Sequence, residues 1–378
     1  MRYYQKQIIK TAGRIFPLKS AIVFESKPDV SGNSKAVFDE MIKRKLNKKY
    51  LLAWLLYEGS KDYPPYENVD YIDMTDDSQA GKILDLKNRS RCLISENKCL
   101  ATFRDDQNSF YLSHGAPIKS TRAYYTVPEK VNYSISLCEG MNKSLSYELD
   151  IPLEKLYALG YPRNDVLTSY RRLDLNKMFH HDAEKYIIWY PTYRQNRNMD
   201  SSNTMSPIPI LHNDRDVEEL NQFLKETRTM LIIKPHFQQD LDIINLLGHS
   251  NIIFIDNGIF DQHYCTSYEL VASCDALITD YSSIYYDYLI CDKPVAPIWE
   301  DIDLYRDSFG LTEDYEKFCS GAQILYNMDE FKEFVLDVNS GTDRMKEKRH
   351  ELVDSLKLYT DGKSAERVVD FIIEKASL

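Results

Sequence analysis

Two adjacent serines, Ser282 and Ser283, follow an apolar run, Ala276–Thr279, and the pair Asp280-Tyr281, and they open a helix-period stretch that reaches Cys291. The first N–H groups of a helix lack intrahelical partners and carry the positive end of its dipole. Paired hydroxyls there make a seat for a phosphate or pyrophosphate; the alternative is a plain serine N-cap. The choice depends on what else can meet a phosphate at that place. Ile232-Ile233-Lys234-Pro235-His236-Phe237 ends another apolar run with a cation and a histidine on either side of a turn-setting proline. The alternative there is a snorkelling lysine beside a packed histidine. Asp287, one helical turn after Ser283, can bind ribose hydroxyls or orient the serines.

A second group of residues suits proton transfer and anion binding. Ser113-His114-Gly115-Ala116-Pro117-Ile118-Lys119 follows the apolar run Phe110–Ser113. A histidine at a strand end, beside a glycine that allows a tight turn, is placed to point into a cleft. It can take a proton from an attacking hydroxyl near neutral pH, although a lone histidine is often structural. Gly160-Tyr161-Pro162-Arg163-Asn164-Asp165 offers a rigid turn, the planar donor fork of Arg163 and, in Asn164 or Asp165, a cap for the next helix. Trp189-Tyr190-Pro191-Thr192-Tyr193-Arg194 puts another arginine where an anion can be clamped. The loop Gln195–Leu211 that follows is long and polar, in the manner of a mobile lid or a tolerated insertion.

Short apolar runs alternate with helix-period stretches and would position these groups. The runs include Ala21–Phe24, Leu51–Leu56, Cys92–Ser95, Leu156–Leu159, Tyr186–Tyr190, Met230–Lys234, Val295–Ile298 and Ala322–Leu325; the helical patterns include Ser34–Leu46, Val217–Thr227, Ser267–Ser273 and Ser283–Cys291. Such alternation predicts parallel sheets covered on both faces, with ligands at the carboxyl ends of the strands. Each motif named above falls just after a predicted strand. The polar stretch Arg171–Lys185 is the boundary candidate. It divides the chain into a Rossmann-like unit over 1–175 and another over 176–378 that ends in helices near Asp343–Leu358 and Ser364–Lys375, with a cleft between the units.

Composition excludes several classes. The 378 residues are 43% hydrophobic and 28% charged, with a net charge of −11, which argues against a general nucleic-acid binder. Seven cysteines without a CxxC pair fit reduced thiols and neither a disulfide framework nor a zinc site. No Walker motif, strand-linked GxGxxG, GxSxG or HExxH is present, so no cofactor and no metal is expected. No apolar run is long enough to cross a bilayer, and the start lacks a signal-peptide pattern, so a cytoplasmic location is expected. Arg2, Lys6, Lys10 and Arg14 recur every four residues before the first acidic residue, Glu25. As a helix they form a basic stripe opposite Ile8, Ile15 and Phe16. That pattern suits either an anionic membrane surface or a solvated face.

Taken in order, Phe24-Glu25-Ser26, the His114–Lys119 and Gly160–Asp165 motifs, Tyr190–Arg194, Lys234-Pro235-His236, Thr279–Ser283, Pro294 and Tyr305-Arg306-Asp307 resemble the CDP-glycerol:poly(glycerophosphate) glycerophosphotransferase family of teichoic acid and capsule synthesis. The resemblance runs from about residue 20 to about residue 320. It implies a GT-B fold, peripheral attachment at the inner face of the membrane, a CDP-alditol donor and a lipid-linked or polymer acceptor. It also implies an acceptor- and membrane-facing N-terminal domain and a donor-binding C-terminal one. His114 matches the family's catalytic base, His236 its second essential histidine, and Thr279, Ser282 and Ser283 its phosphate-binding turn. Two departures stand out: Ser113 and Ala116 replace the Trp and Thr often found around the His-Gly, and Phe237 replaces the last proline of Lys-Pro-His-Pro. The nearest rival is a nucleotide-sugar glycosyltransferase of the same fold. The lack of an added repeat-bearing module favours a single transfer or short extension.

Overall fold

The computed structural model describes residues 16–378 except 60, 117, 170, 195–205, 207 and 236–247. The chain forms two compact units: residues 1–116, 122–165 and 361–378 make the first, and 117–121 with 166–360 the second. The sequence placed the boundary near residue 175 and the last helix in the second unit. The structure groups the last helix with the first.

In the first unit the elements are β1 (Lys19–Glu25), α1 (Gly32–Lys43), β2 (Leu51–Leu56), β3 (Val69–Asp73), α2 (Ala80–Arg89), β4 (Ser90–Ser95), β5 (Asn108–Tyr111), β6 (Tyr133–Ser136), α3 (Asn142–Leu149) and β7 (Leu156–Ala158). They form a parallel sheet in the order β3-β2-β1-β4-β5-β6-β7. Successive side chains of a strand point to opposite faces, and here both faces are covered. Ile22 and Phe24 meet Val37, Phe38 and Met41 of α1 on one side. Ala21 and Val23 meet Ile83 and Leu86 of α2 on the other. That two-sided burial explains why these strands read as unbroken apolar runs. Each fully buried aliphatic or aromatic side chain contributes about 1.5–3 kcal/mol.

In the second unit come β8 (Lys185–Trp189), α4 (Asp214–Glu226), β9 (Thr229–Ile233), β10 (Ile252–Phe254), α5 (Ser267–Ser273), β11 (Ala276–Thr279), α6 (Ile284–Tyr288), β12 (Val295–Pro297), α7 (Ile302–Phe309), α8 (Met328–Ser340) and α9 (Lys346–Leu356). The parallel sheet runs β10-β9-β8-β11-β12. Ile187, Trp189, Leu231 and Ile233 pack on Val217, Leu220 and Leu224 of α4 and on Phe331 and Val335 of α8. Ala322–Leu325, expected as a strand, is not one. Only Leu325 bridges, its N–H donating to the carbonyl of Pro297 at 2.9 Å. The chain returns to the first unit as α10 (Ser364–Ala376), whose Val368, Val369 and Ile372 join the core under α1. This is an α/β architecture of two parallel-sheet, Rossmann-like units.

Candidate functional site

The turn before His114 belongs to the first unit. β5 stops at Tyr111, two residues earlier than expected, because Ser113 turns into the left-handed region at φ +56°. The sequence assigned that turn to Gly115; the residue with positive φ is Ser113. A non-glycine residue there is uncommon and needs support from its surroundings. Asn33, buried at the start of α1, supplies it: its Nδ2 donates to the carbonyls of Leu112 and Ser113 at 3.3 and 2.8 Å. The Tyr161 hydroxyl donates to Ser113 Oγ at 3.3 Å. His114 itself is exposed, with Nδ1 3.3 Å from the Tyr111 hydroxyl and its ring edge-on to Tyr125.

The Oδ1 of the same Asn33 accepts from the Arg163 N–H at 3.1 Å, so one amide ties the His114 and Arg163 turns together. Arg163 Nη1 lies 3.3 Å from Glu96, a buried carboxylate at the amino end of α1 that accepts from the Ser34 N–H at 3.2 Å. Burial pushes the Glu96 carboxyl up to about 7 against the opposing pull of Arg163 and the Ser34 and Asn33 N–H groups. Gly32 makes room for it: at φ +63° a Cβ there would fall 2.3 Å from either Glu96 oxygen. Asn164 is buried, and its N–H donates to the Tyr161 carbonyl. Asp165 does cap a helix, but not the next one. Its carboxylate accepts from the N–H groups of Ser364 and Ala365, the start of α10, at 2.8 Å each.

In the second unit, the carboxyl ends of β9, β8 and β11 gather most of the remaining candidates. Thr279 is buried, and its hydroxyl donates to the Tyr190 carbonyl at 3.0 Å. The Asp280 carboxylate accepts from the Thr192 and Tyr281 N–H groups and from Arg194 Nη1. Arg194 Nε reaches Asp301 at 3.0 Å, and the guanidinium has no exposed surface. The clamp expected of Arg194 is thus filled by the chain's own carboxylates. Below it, the rings of Tyr281 and Tyr305 stack 3.8 Å apart, and the Tyr281 hydroxyl donates to Asp301 at 2.9 Å. Asp287 is buried and accepts from the Tyr268 hydroxyl of α5.

Ser282 and Ser283 are half-buried, and neither hydroxyl makes a hydrogen bond among the described residues. Ser283 is itself helical, at φ −61°, without a capping bond, so a plain N-cap does not describe it. Two lysines attend this edge. Burial pulls the ammonium of Lys234 below its usual range, opposed by Asp256, and Nζ lies 5.6 Å from the Tyr190 ring centre and 6.0 Å from that of Phe260. Lys119 arrives on the short segment from the His114 motif, where Ile118, Lys119 and Ser120 pair with Gly310, Leu311 and Thr312. Burial lowers its affinity for a proton, while the charge of Asp280 raises it, and its ammonium makes no hydrogen bond among the described residues. In the sequence, Lys119 closes the His114 motif without a pattern that gives it a role. Asn33 and Glu96 left no local signal at all. His236, the basic stripe at Arg2, Lys6, Lys10 and Arg14, and most of the loop at 195–211 lie outside the described residues.

Known proteins resemble the chain along most of its length. A family model described as "CDP-Glycerol:Poly(glycerophosphate) glycerophosphotransferase" matches residues 9–374. A teichoic acid poly(ribitol-phosphate) polymerase of Bacillus spizizenii is 25% identical, over 95% of this chain and 57% of its own length. A teichoic acid ribitol-phosphate polymerase, TarK, of Staphylococcus aureus is 24% identical, over 91% of this chain and 66% of its own length. A teichoic acid poly(glycerol phosphate) polymerase of Bacillus spizizenii is 25% identical, over 79% of each chain. The chain therefore spans less than two thirds of the first two relatives. Among solved structures, the wall teichoic acid polymerase TagF superposes with a TM-score of 0.76 at 20% identity, over 99% of this chain and 93% of that one. The UDP complex of Staphylococcus aureus MnaA gives 0.54 at 15% identity, over 96% and 98%. These likenesses place the fold in the two-domain GT-B class.

Proposed function

The chain belongs to the CDP-glycerol:poly(glycerophosphate) glycerophosphotransferase family, and from that premise we propose that it transfers an alditol phosphate, glycerol phosphate being the favoured unit, from a CDP-alditol to a hydroxyl of a lipid-linked or polymer acceptor. The product would be a phosphodiester in teichoic acid or a related capsular polymer, and CMP would leave. The observation that carries this reading is the carboxyl edge of the second sheet, where two serine hydroxyls that make no hydrogen bond among the described residues share their unit with the desolvated ammonium groups of Lys119 and Lys234. Phosphoryl transfer asks the protein mainly for fixed positive charge and donors around the phosphates. TagF, which shares the fold, was studied after soaking with CDPG, and relatives of this chain are polymerases of both glycerol phosphate and ribitol phosphate.

In this mechanism the acceptor oxygen attacks the β-phosphorus, and its proton passes to His114. The bond from that phosphorus to the bridging oxygen breaks, and CMP carries the bridging oxygen away. Ser282, Ser283, Lys119 and Lys234 would hold the diphosphate, with His236 assigned there by its place in the Lys-Pro-His motif. Arg163 and Asn164 would shape the His114 side through Asn33. The chain would act at the inner face of the cell membrane, held by its basic amino-terminal stripe; no helix among the described residues is long and apolar enough to cross a bilayer.

The test is to incubate the protein with CDP-glycerol, CDP-ribitol and UDP-sugars and measure CMP and UDP. Release of CMP with a new phosphodiester is expected. Release of UDP with a glycosyl product would replace this reading with a glycosyltransferase. His114→Ala should abolish transfer and keep donor binding, and loss of both would move His114 to the donor site. Removing residues 2–16 should shift the protein from membranes to the soluble fraction; unchanged sedimentation would end the membrane assignment.

A further inference from the structure

We propose that Lys27 and Lys98, at the carboxyl edge of the first sheet, bind a phosphodiester of the acceptor, which is then an anionic polyol-phosphate chain. Strand register places both lysines on the same rim as His114. Glu25 of β1 pairs with Ser95 of β4, and Ser95 pairs with Tyr111 of β5. Lys27 stands two residues beyond Glu25, Lys98 three beyond Ser95, and His114 three beyond Tyr111. Neighbouring strands lie about 4.8 Å apart, so the three turns adjoin. Three hydrogen bonds of 2.8 Å join them: the Lys27 N–H to Asn97 Oδ1, the Leu112 N–H to the Ser95 carbonyl, and the Tyr125 hydroxyl to the Asn97 carbonyl. The Tyr125 ring in turn stands edge-on to that of His114, with centroids 6.0 Å apart.

Charge on this rim is sorted by depth. The carboxylates are buried and turned to backbone N–H groups. Glu25 accepts from Glu96, Asn97 and Lys98 at 3.0 to 3.3 Å, Asp29 from Tyr57 and Glu58 at 2.9 and 2.8 Å, and Glu96 from Ser34 at 3.2 Å. The lysines are exposed, and neither ammonium makes a hydrogen bond or ion pair among the described residues. Glu58, the next carboxylate along, faces Lys61 at 3.3 Å. Two solvated surface lysines are the alternative reading. Against it, both backbones are fixed at Asn97, and Lys98 Nζ lies 4.1 Å from the Tyr57 ring centre, which holds the ammonium at the rim. A neutral sugar brings no charge to these groups, whereas every unit of a polyol-phosphate chain brings one phosphodiester. Tyr57 follows β2, and the sheet order is β2-β1-β4-β5, so Lys98 reaches across β1 and away from β5. The phosphate it meets therefore belongs to a unit behind the reacting hydroxyl.

This proposal rests on the transferase reading, and a binding measurement separates the two. The probe is a lipid-free oligo(glycerol phosphate) of several units, titrated calorimetrically into the full chain without donor. Lys27→Gln and Lys98→Gln should each weaken its binding by roughly five- to tenfold, between the effects of an exposed ion pair and of a charged hydrogen bond. The acceptor KM should rise to match, with CDP-alditol affinity unchanged. Wild-type affinity should also fall more steeply with salt than that of the double variant. Unchanged oligomer affinity in the double variant, or no binding by wild type, would overturn the proposal. Phosphatidylglycerol vesicles are the second probe, because a lipid headgroup carries the same phosphodiester. A double variant that lost the vesicles and kept the oligomer would give these lysines to the membrane and overturn the acceptor assignment. A protein inactive with every CDP-alditol, whose oligomer affinity still depended on both lysines, would sink the transferase reading and leave this site standing.

Discussion

Asp165 caps a helix that begins at Ser364, 199 residues later in the chain. The Gly160–Asp165 motif thereby docks the last helix onto the first unit. Gly160 sits at φ +80°, where a Cβ would fall 2.3 Å from Ser364 Oγ. Arg367 Nε donates to the Leu159 carbonyl at 3.0 Å. Replacing Asp165 by Ala removes acceptors from two helix-start N–H groups and should cost about 1–2 kcal/mol, read as a lower urea midpoint. Asp165→Asn keeps a cap and should lose less. Equal losses from the two substitutions would show that the charge, and not the cap, is what α10 needs.

Arg194 and Asp280 predict a different kind of loss. With no exposed surface on either side chain, removing one partner leaves the other as an unpaired buried charge. Arg194→Met should destabilise the protein by about 3–5 kcal/mol. Arg194→Lys should not recover it, since an ammonium cannot span Asp280 and Asp301 as a planar fork does. A well-folded Arg194→Met whose only defect was weaker donor binding would return this arginine to the phosphates.

Lys119 should behave in the opposite way. Its ammonium is desolvated, has only the charge of Asp280 to oppose that, and makes no hydrogen bond among the described residues. An anionic ligand is the partner that its environment lacks. Lys119→Met should leave the urea midpoint unchanged or slightly raised while weakening CDP-alditol binding by about 10- to 100-fold, as expected for a lost charge-assisted hydrogen bond. Titration calorimetry with the donor alone measures this without turnover. Unchanged affinity would leave Lys119 as a partner of Asp280 only.

These contrasts show where sequence carries structure and where it stops. Parallel strands buried on both faces must be apolar throughout, so Leu51–Leu56 and Ala276–Thr279 are legible to the residue. Ala322–Leu325 reads as a strand too, yet it forms a single bridge, at Leu325, with the Gln323 and Leu325 N–H groups donating to the Val295 and Pro297 carbonyls at 3.2 and 2.9 Å, because pairing depends on the partner strand as well as on local pattern. That His114, Arg163 and Ser282 follow strands β5, β7 and β11 was legible, since apolar runs closed by turn residues mark strand ends. Whether Arg194 meets a phosphate or an internal carboxylate depends on Asp301, 107 residues away. Asn33 and Glu96 were invisible for the same reason: their partners lie across β-strand ends and leave no periodicity to read.

Glu96 makes the last prediction, on pH. Buried at the start of α1, it faces the Arg163 guanidinium and the Ser34 and Asn33 N–H groups, with the Glu25 carboxylate adding repulsion. Desolvation outweighs the favourable contacts and holds its carboxyl at about 7 rather than 4.5. Between those values the folded chain binds more protons than the unfolded one, so stability falls as pH rises. The contribution is full below the unfolded value and is lost as pH rises through about 7. A shift of this size corresponds to something on the order of 3 kcal/mol. Glu96→Gln keeps an oxygen for Arg163 and Ser34 and cannot ionise, so its urea midpoint should decline less than wild type's between weakly acidic and weakly alkaline buffer. Parallel declines in the two proteins would mean that Glu96 is ionised throughout, held by Arg163 more strongly than burial opposes it.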